Sequence, residues 1–407
     1  MKIALIVRTL VISGGVERQV MMLAKEFKKA GHTVALYTYD YDRAACFPGM
    51  LDDLTIVSLP EGVKQKPSWL SRIPRVRTIA HELHDMRRAR ELAALIEPDT
   101  EILNPHEHTG ARVAYYFKRQ HPTTPSVLML SDLHLASWSL FDDPLFNPPR
   151  RNALQLALAR LRDAYENRVF LAAQNRIAVL NFRTAEYVKK LLGRDADVVR
   201  SGVDTELFPY FERTGIQDKK IRILCNAIFF VHRRFEDVIA ALPELIERGY
   251  DPTLRIVGTY NHKGSAVAYH ARLVDLVKEL NVEDRVTFVG HIADSHKLLE
   301  EYKNADIFVF GSHMQTWGIA VFEAIATGAA TIVSRTAGAA EMLTEGKHML
   351  LGTPGDPHSY AQVIERLAED KNLYQQISRG GSEYVRQTIT WQKYGADMIA
   401  LFEKARS

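Results

Sequence analysis

The chain has 407 residues, 46% of them hydrophobic and 25% charged, a soluble globular composition with more sequence than one ordinary core holds, so two α/β-sized domains are expected. A formal net charge of +3 gives no electrostatic case for nucleic acid as a partner. Two cysteines, Cys46 and Cys225, far apart in the sequence, exclude a disulfide framework, and no apolar run approaches the roughly 20 residues that span a bilayer.

The opening row MKIALIVRTLVISGG has the Lys and apolar run of a signal peptide, but Arg8 interrupts it and no small-residue cleavage site follows. It reads instead as a first core strand, 2–7, and the chain is expected to be cytoplasmic. Gly14-Gly15 then precede a helix with Val20, Leu23, Ala24 and Phe27 on one face that stops near Gly31. Paired glycines at a helix start let a phosphate or sugar approach the backbone. Residues 32–39 and 54–59 read as further strands. From Lys64 to Arg90 the sequence is dense in Lys and Arg, with Trp69 and Leu70 among them. Two readings stand for it, a surface resting on anionic lipid and a solvated helix face. Glu82, Asp85 and Glu91 dilute the charge and favour the second.

Residues 99–103 read as a strand that runs into a loop, Asn104 to Gly110, holding His106 and His108. That spacing allows a metal site, but no further Cys or His cluster completes one. A strand at 125–130 is followed by an irregular stretch, 131–150, of a length that suits a lid. Residues 151–168 are helical in pattern, 176–180 a strand, 184–192 a helix ending at Gly193, and 197–200 a strand leading to SGVDTELF at 201–208.

A second βα series begins near Lys219. Strand 221–227 leads to FFVHRRFED, which holds Arg233 and Arg234, and then to a helix. Strands at 254–257 and 286–289 end at Gly258 and at Gly290-His291-Ile292. The most informative stretch is 305–341: a buried strand at 307–310, a polar loop, a helix over 318–327 closed by Gly328, and a second buried strand at 329–334. Its loop opens at the carboxyl end of a parallel strand, where ligands of open α/β sheets bind. The N–H groups around Gly318, Ile319 and Ala320 would face an anion such as phosphate, and Glu323, one turn in, could accept hydrogen bonds from sugar or ribose hydroxyls. A last amphipathic helix covers 391–405.

The row QTWGIAVFEAIATG at 315–328 resembles the E-G-F-G-L-x-x-x-E-A-x-A-x-G signature of retaining, GT-B-fold glycosyltransferases of the Glu-x7-Glu type (family 4, glycosyl transferases group 1). That family includes bacterial mannosyl- and lipopolysaccharide-core glucosyltransferases. Glu323 is the second Glu of the pattern and Gln315 replaces the first. Gln315 keeps the size and a carbonyl acceptor but loses the negative charge. The rows at 14–35 and 201–208 resemble the family's opening βαβ unit and its N-G-V-D-x-x-x-F interdomain crossing. Asn104–Gly110 resembles the family's His-x-His loop, with His108 as the second His. FFVHRRFED resembles a G-R-x-x-x-x-K-G row whose Arg and Lys hold the donor diphosphate. Ile228 stands where that Arg is usual, Arg233 where the Lys is, and Arg234 where the second Gly is.

The resemblance implies an α/β, GT-B architecture: two Rossmann-like domains facing across a cleft, an acceptor domain over 1–208 joined by a crossing helix at 388–407, and a nucleotide-sugar donor domain over 209–387. It implies transfer of a sugar from a nucleotide-diphosphate-sugar to a hydroxyl of a glycan or lipid-linked acceptor, with retention, in glycan, polysaccharide or glycolipid biosynthesis. By the same resemblance His108 and Gln315 are expected at the catalytic positions. Gly14, Gly15, Arg233, Arg234, His291, Ile292, Gly318, Ile319, Ala320 and Glu323 are expected to bind the donor. The arginines and the helix start take a cation's place, so no metal and no cofactor are expected. A lipid-linked acceptor would suit peripheral contact with the inner face of the membrane through the basic 64–90 region. Two rivals fit the departures at Gln315 and Ile228: a non-catalytic nucleotide-sugar-binding subunit, and another GT-B enzyme such as an epimerase or phosphorylase.

Overall fold

A computed structural model describes residues 1–11, 14–60, 74–131, 153–260, 264–313 and 317–407. The basic segment 64–73, the stretch expected as a lid after Ser131, and Gln315 lie outside the described residues. The described residues form two compact units, one from 1–131, 153–201 and 391–407, the other from 202–390.

The first unit alternates strand and helix: β1 (Lys2–Val7), α1 (Gly15–Lys29), β2 (Thr33–Thr38), β3 (Ile56–Ser58), α2 (Pro74–Ala93), β4 (Ile102–Pro105), α3 (Glu107–Lys118), β5 (Val127–Met129), α4 (Ala153–Glu166) running into a π turn at Asn167–Leu171, β6 (Arg176–Val179), α5 (Phe182–Leu192) and β7 (Asp197–Val198). Two parallel ladders, ordered β3-β2-β1-β4 and β5-β6-β7, are joined by the parallel bridges Leu103↔Ser126 and His106↔Met129. The apolar run of β1 is buried on both faces, which is why it does not alternate. The expected stripe Val20, Leu23, Ala24 and Phe27 of α1 is fully buried. Asn181 caps α5 by accepting from the Thr184 N–H at 2.7 Å, and Gly193 closes that helix at φ 65°.

The second unit continues with β8 (Lys220–Asn226), a 3-10 turn at Val231–Arg233, α6 (Phe235–Glu247), β9 (Asp251–Val257), α7 (Gly264–Glu279), β10 (Val286–Gly290), α8 (Ser295–Asn304), β11 (Ile307–Phe310), α9 (Ile319–Ala326), β12 (Ala330–Ser334), a 3-10 turn at Gly338–Glu341, β13 (Leu350–Gly352), α10 (Pro357–Glu369) and α11 (Lys371–Thr388). Its six strands are all parallel in the order β10-β9-β8-β11-β12-β13. The direction of winding therefore reverses between β8 and β11. Ligands of open α/β sheets bind outside the carboxyl ends of the strands at such a reversal. Burial of Ile223, Ile256, Ile307, Val309 and Ile332 against Val238, Leu242, Leu273 and Ile364 holds helices to the sheet.

The last helix, α12 (Trp391–Arg406), belongs to the first unit and packs on α1, with the rings of Phe27 and Phe402 5.4 Å apart. Gly395 permits this approach, since a Cβ there would stand 2.8 Å from the Glu26 Cβ. The row leaving 201–208 is fastened to the chain's return. Val203 donates to the Ile389 carbonyl at 3.0 Å, and the Arg386 guanidinium donates to the carbonyls of Thr205, Phe208 and Ala326. Among the described residues no helix is long and apolar enough to cross a membrane.

Candidate active site

In the second unit, the loops after β8 and β11 meet at the switch point. The His313 N–H donates to the His232 carbonyl at 2.7 Å, and Gly311 lies so close to the carbonyls of Arg233 and Arg234 that a Cβ would stand 3.5 and 3.2 Å from them. The loop after β12 joins them. The Ala339 N–H donates to the Trp317 carbonyl at 3.1 Å, and the His313 Nδ1 lies 3.0 Å from the Thr336 hydroxyl, itself 2.9 Å from that of Ser334. Burial pushes the His232 imidazole well below its usual range, and the neighbouring charges of Arg233 and His313 push it further. The neighbouring positive charge raises the local potential, while the His232 ring itself is held neutral.

The two arginines have different surroundings. Arg234 adopts the left-handed conformation, φ 56°, that glycine ordinarily supplies. Its guanidinium is engaged by carboxylates: Nε donates to Asp237 at 3.0 Å, another nitrogen to the same carboxylate at 2.5 Å, and a third pairs with Glu236 at 3.0 Å. Asp237 is buried and also accepts from the Gly355 N–H at 2.7 Å. Arg234 therefore anchors the start of α6. Arg233, one residue earlier in the 3-10 turn, sits beside His232.

Helix α9 begins as expected, at Gly318 with φ 98° and no side-chain cap. The N–H groups of its first turn, Ile319 and Ala320 among them, have no carbonyl of an earlier helical turn to meet. Trp317, just before, is buried and packs on Phe322 at 4.7 Å. Glu323 is only 4% exposed, and Tyr302 of α8 donates its hydroxyl proton to Glu323 Oε2 at 2.9 Å. Tyr302 in turn accepts from the Asn226 side-chain amide at 2.8 Å.

His291 is exposed and Ile292 half-buried where the chain leaves β10, just past Gly290 at φ 85°. β10 is two strands from β8, roughly 10 Å along the sheet. Gly258, at the end of β9, lies where a Cβ would collide with the Ala227 carbonyl at 1.9 Å, so the ends of β8 and β9 come together only with glycine there.

In the first unit Gly14 precedes α1 in extended backbone, and Gly15 opens the helix. The Glu17 carboxyl folds back to within 2.3 Å of where a Gly14 Cβ would be, and burial raises its pKa. The expected loop at 104–110 is instead the end of a strand and the start of a helix. β4 runs to Pro105, and α3 begins at Glu107, φ 60°. His106 is fully buried, with Nε2 3.2 Å from the side-chain Oδ1 of Asn104, and burial lowers its pKa to about 3. His108 is the second residue of α3 and half-buried. Gly110 lets that helix close on the strand ends, because a Cβ would stand 2.9 Å from the Ile6 carbonyl. Glu107 accepts from the Ser131 N–H at 3.2 Å, and the Ser131 hydroxyl lies 3.3 Å from Gln19 of α1. The helix starts after β1 and β4 thus share the carboxyl edge of this sheet with the end of β5.

Two family models match successive parts of the chain: Glycosyltransferase Family 4 over 13–207 and Glycosyl transferases group 1 over 208–384. The chain belongs to this glycosyltransferase family. Mannosylfructose-phosphate synthase of Agrobacterium fabrum is 23% identical over 428 aligned positions, covering 96% of the chain and 86% of that protein. Against several other curated relatives of the family the chain spans about half of their length. Sucrose-phosphate synthase of Thermosynechococcus elongatus superposes with a TM-score of 0.72 at 18% identity, over 99% of this chain and 98% of that one. Anabaena HepE, solved in complex with UDP and glucose, gives 0.72 at 15% identity over 99% and 100%. The fold is GT-B, an α/β architecture of two units each built on a parallel sheet.

His232, His313, Thr336, Tyr302 and Asn226 were not legible as site residues in the sequence. The first three sit in loops whose meeting depends on strand order. The last two are joined to Glu323 only through the fold.

Proposed function

We propose that this glycosyltransferase-family chain transfers a hexosyl group from a nucleotide-diphosphate-sugar to an acceptor hydroxyl with retention and without a metal. The observation that carries the reading is the convergence, at one switch point, of the Arg233 turn, the uncapped start of α9 and Glu323. The diphosphate would lie between Arg233 and the N–H groups of Ile319 and Ala320. The ribose would meet Glu323, and the base would lie over His291 and Ile292, about two strands away. HepE, which shares the fold, binds UDP and glucose, so UDP is the first probe.

The step breaks the bond between the anomeric carbon and the diphosphate oxygen and forms one from that carbon to the acceptor oxygen. The acceptor proton passes to the departing phosphate, so no strong protein base is needed. Arg233 and the helix start oppose the charge that grows on the diphosphate, and they are fixed before the reaction begins. Among the described residues no three His, Cys, Asp or Glu converge as metal ligands. The test is incubation of the purified protein with UDP-, GDP- and ADP-hexoses and sugar or lipid-linked acceptors in excess chelator, with the product anomer read by NMR. Transfer with retention is expected. Turnover that needs an added divalent ion, or an inverted product, would overturn the corresponding part. Absence of binding to all the nucleotides by calorimetry would overturn the whole.

A further inference from the structure

Glu323 is a carboxyl group almost fully enclosed in the helix that follows β11. Its Oε2 accepts the hydroxyl proton of a buried tyrosine, Tyr302, from the last turn of α8. Tyr302 has no exposure at all. Its ring packs edge-on against Phe208 at 5.7 Å and tilted on Phe308 at 5.7 Å, which fixes where its hydroxyl points. That hydroxyl has one proton to give. The Asn226 amide nitrogen can only donate, so it takes a lone pair of the tyrosine and leaves the proton for Glu323. The opposite amide orientation would draw the proton to Asn226 and turn a lone pair on the carboxyl oxygen, so the chain has one satisfied direction. Asn226 is the last residue of β8 and is half-buried at the carboxyl edge of the sheet. The chain Asn226–Tyr302–Glu323 therefore links the two sides of the switch point.

We propose that Tyr302, itself set by Asn226, is a positioning residue that aims the Glu323 carboxylate at the ribose hydroxyls of the donor nucleotide. This rests on the donor site proposed above. A tyrosine proton on one oxygen fixes the rotation of the carboxylate, and the rotation decides where the second oxygen presents its lone pairs. A ligand hydroxyl binds well only if that orientation is set before it arrives. A purely structural role for the same pair predicts a loss of stability that is indifferent to the ligand's hydroxyls.

The experiment pairs protein variants with ligand hydroxyls. UDP, GDP and ADP are titrated calorimetrically into the full chain, and the one that wild type binds is compared with its 2′,3′-dideoxy analogue. Wild type should prefer the ribonucleotide by at least about tenfold, the worth of a hydrogen bond to a charged group. Tyr302→Phe keeps the ring and loses the hydroxyl. It should weaken the ribonucleotide about tenfold and leave the dideoxy analogue within about twofold of wild type. Asn226→Ala, which leaves the buried ring untouched, should show the same split with a smaller loss and serves if Tyr302→Phe fails to fold. Equal losses for both ligands in the variants, or no loss for either, would overturn the inference while leaving the donor site standing. Failure of wild type to bind any of the three nucleotides would overturn the donor site, and this inference with it.

Discussion

At the residue scale, the adjacent pair Arg233-Arg234 sets two like charges in different surroundings, Arg234 against the Asp237 and Glu236 carboxylates and Arg233 beside His232. Arg234→Gly would restore the residue type suited to φ 56° and relieve about 1–2 kcal/mol of left-handed strain. It would also strip Asp237, which is buried, of its cation, and breaking such a pair from one side costs about 3–5 kcal/mol. The second effect wins, so Arg234→Gly should lower stability by about 1–4 kcal/mol in urea denaturation yet leave UDP affinity nearly unchanged. Arg233→Ala should show a loss of about 1.5–3 kcal/mol in UDP binding by calorimetry. Equal affinity for Arg233→Ala and wild type would take the diphosphate away from this turn. The sequence already held a clue to the difference: Glu236 and Asp237 follow Arg234 at two and three residues, within reach of a side chain at a helix start.

His106 gives a residue-scale prediction of another kind. Its folded pKa is about 3, against the ordinary 6.5, because burial disfavours the charged ring. Between those values the unfolded chain binds a proton that the folded chain does not. The stability contributed by the neutral ring is therefore fully present above about pH 6.5 and is lost as pH falls toward 3. The slope from one such proton is about 1.4 kcal/mol per pH unit. Other depressed histidines, His232 and His270 among them, add to the wild-type slope, so the useful quantity is a difference. His106→Gln should lose about 2 kcal/mol less than wild type between pH 6.5 and 5, whatever its absolute stability. Parallel pH profiles would mean that His106 charges in the folded state.

At the scale of elements, the strands were legible because parallel strands covered on both faces read as short apolar runs, and β1, β11 and β12 are of that kind. Helix ends at Gly31, Gly193 and Gly328, at φ 83°, 65° and 83°, were legible because a left-handed stop favours glycine. The 104–110 segment was misread because two histidines flanking a glutamate look polar. A strand end that buries His106 and a helix that starts at Glu107 follow only from pairing with β1 and β5. Helices α7, α8, α10 and α11 were not named in advance, and with α8 unread Tyr302 had no place from which to reach Glu323, 21 residues away. The packing of α12 on α1 gives an element-scale test. Gly395→Ala gains about 1 kcal/mol of helix propensity. Its Cβ, 2.8 Å from the Glu26 Cβ, cannot be relieved by any rotamer and must push the helices apart. Overpacking of that kind costs about 1–3 kcal/mol, so a net fall in the melting temperature is expected. A rise would show that the two helices separate freely at this point.

At the scale of the whole molecule, each unit has its own parallel sheet, its own apolar core and its own reversal of winding, at β1/β4 in the first and β8/β11 in the second. The fold alone offers a ligand site at both. The chemistry separates them. The first-unit helix start beyond Gly14 already has an acid, Glu17, folded against it, which opposes a phosphate. The second-unit helix start has no acid in its first turn, and the loop leading to it from β11 is bonded through the His313 N–H to the turn of His232 and Arg233. A nucleoside diphosphate should therefore bind the second unit. Ligand at 100 times its dissociation constant stabilises the state it binds by about 2.7 kcal/mol, enough to slow local opening about a hundredfold. Hydrogen exchange with and without UDP should accordingly show protection at the Val231–Arg233 turn, the first turn of α9 and the ends of β8 and β11. Amides of α1 and of the first turn of α3 should exchange at unchanged rates. Protection confined to Gly15–Gln19 and the start of α3 would move the diphosphate to the first unit, and would show that the acid at position 17 yields its place to the ligand.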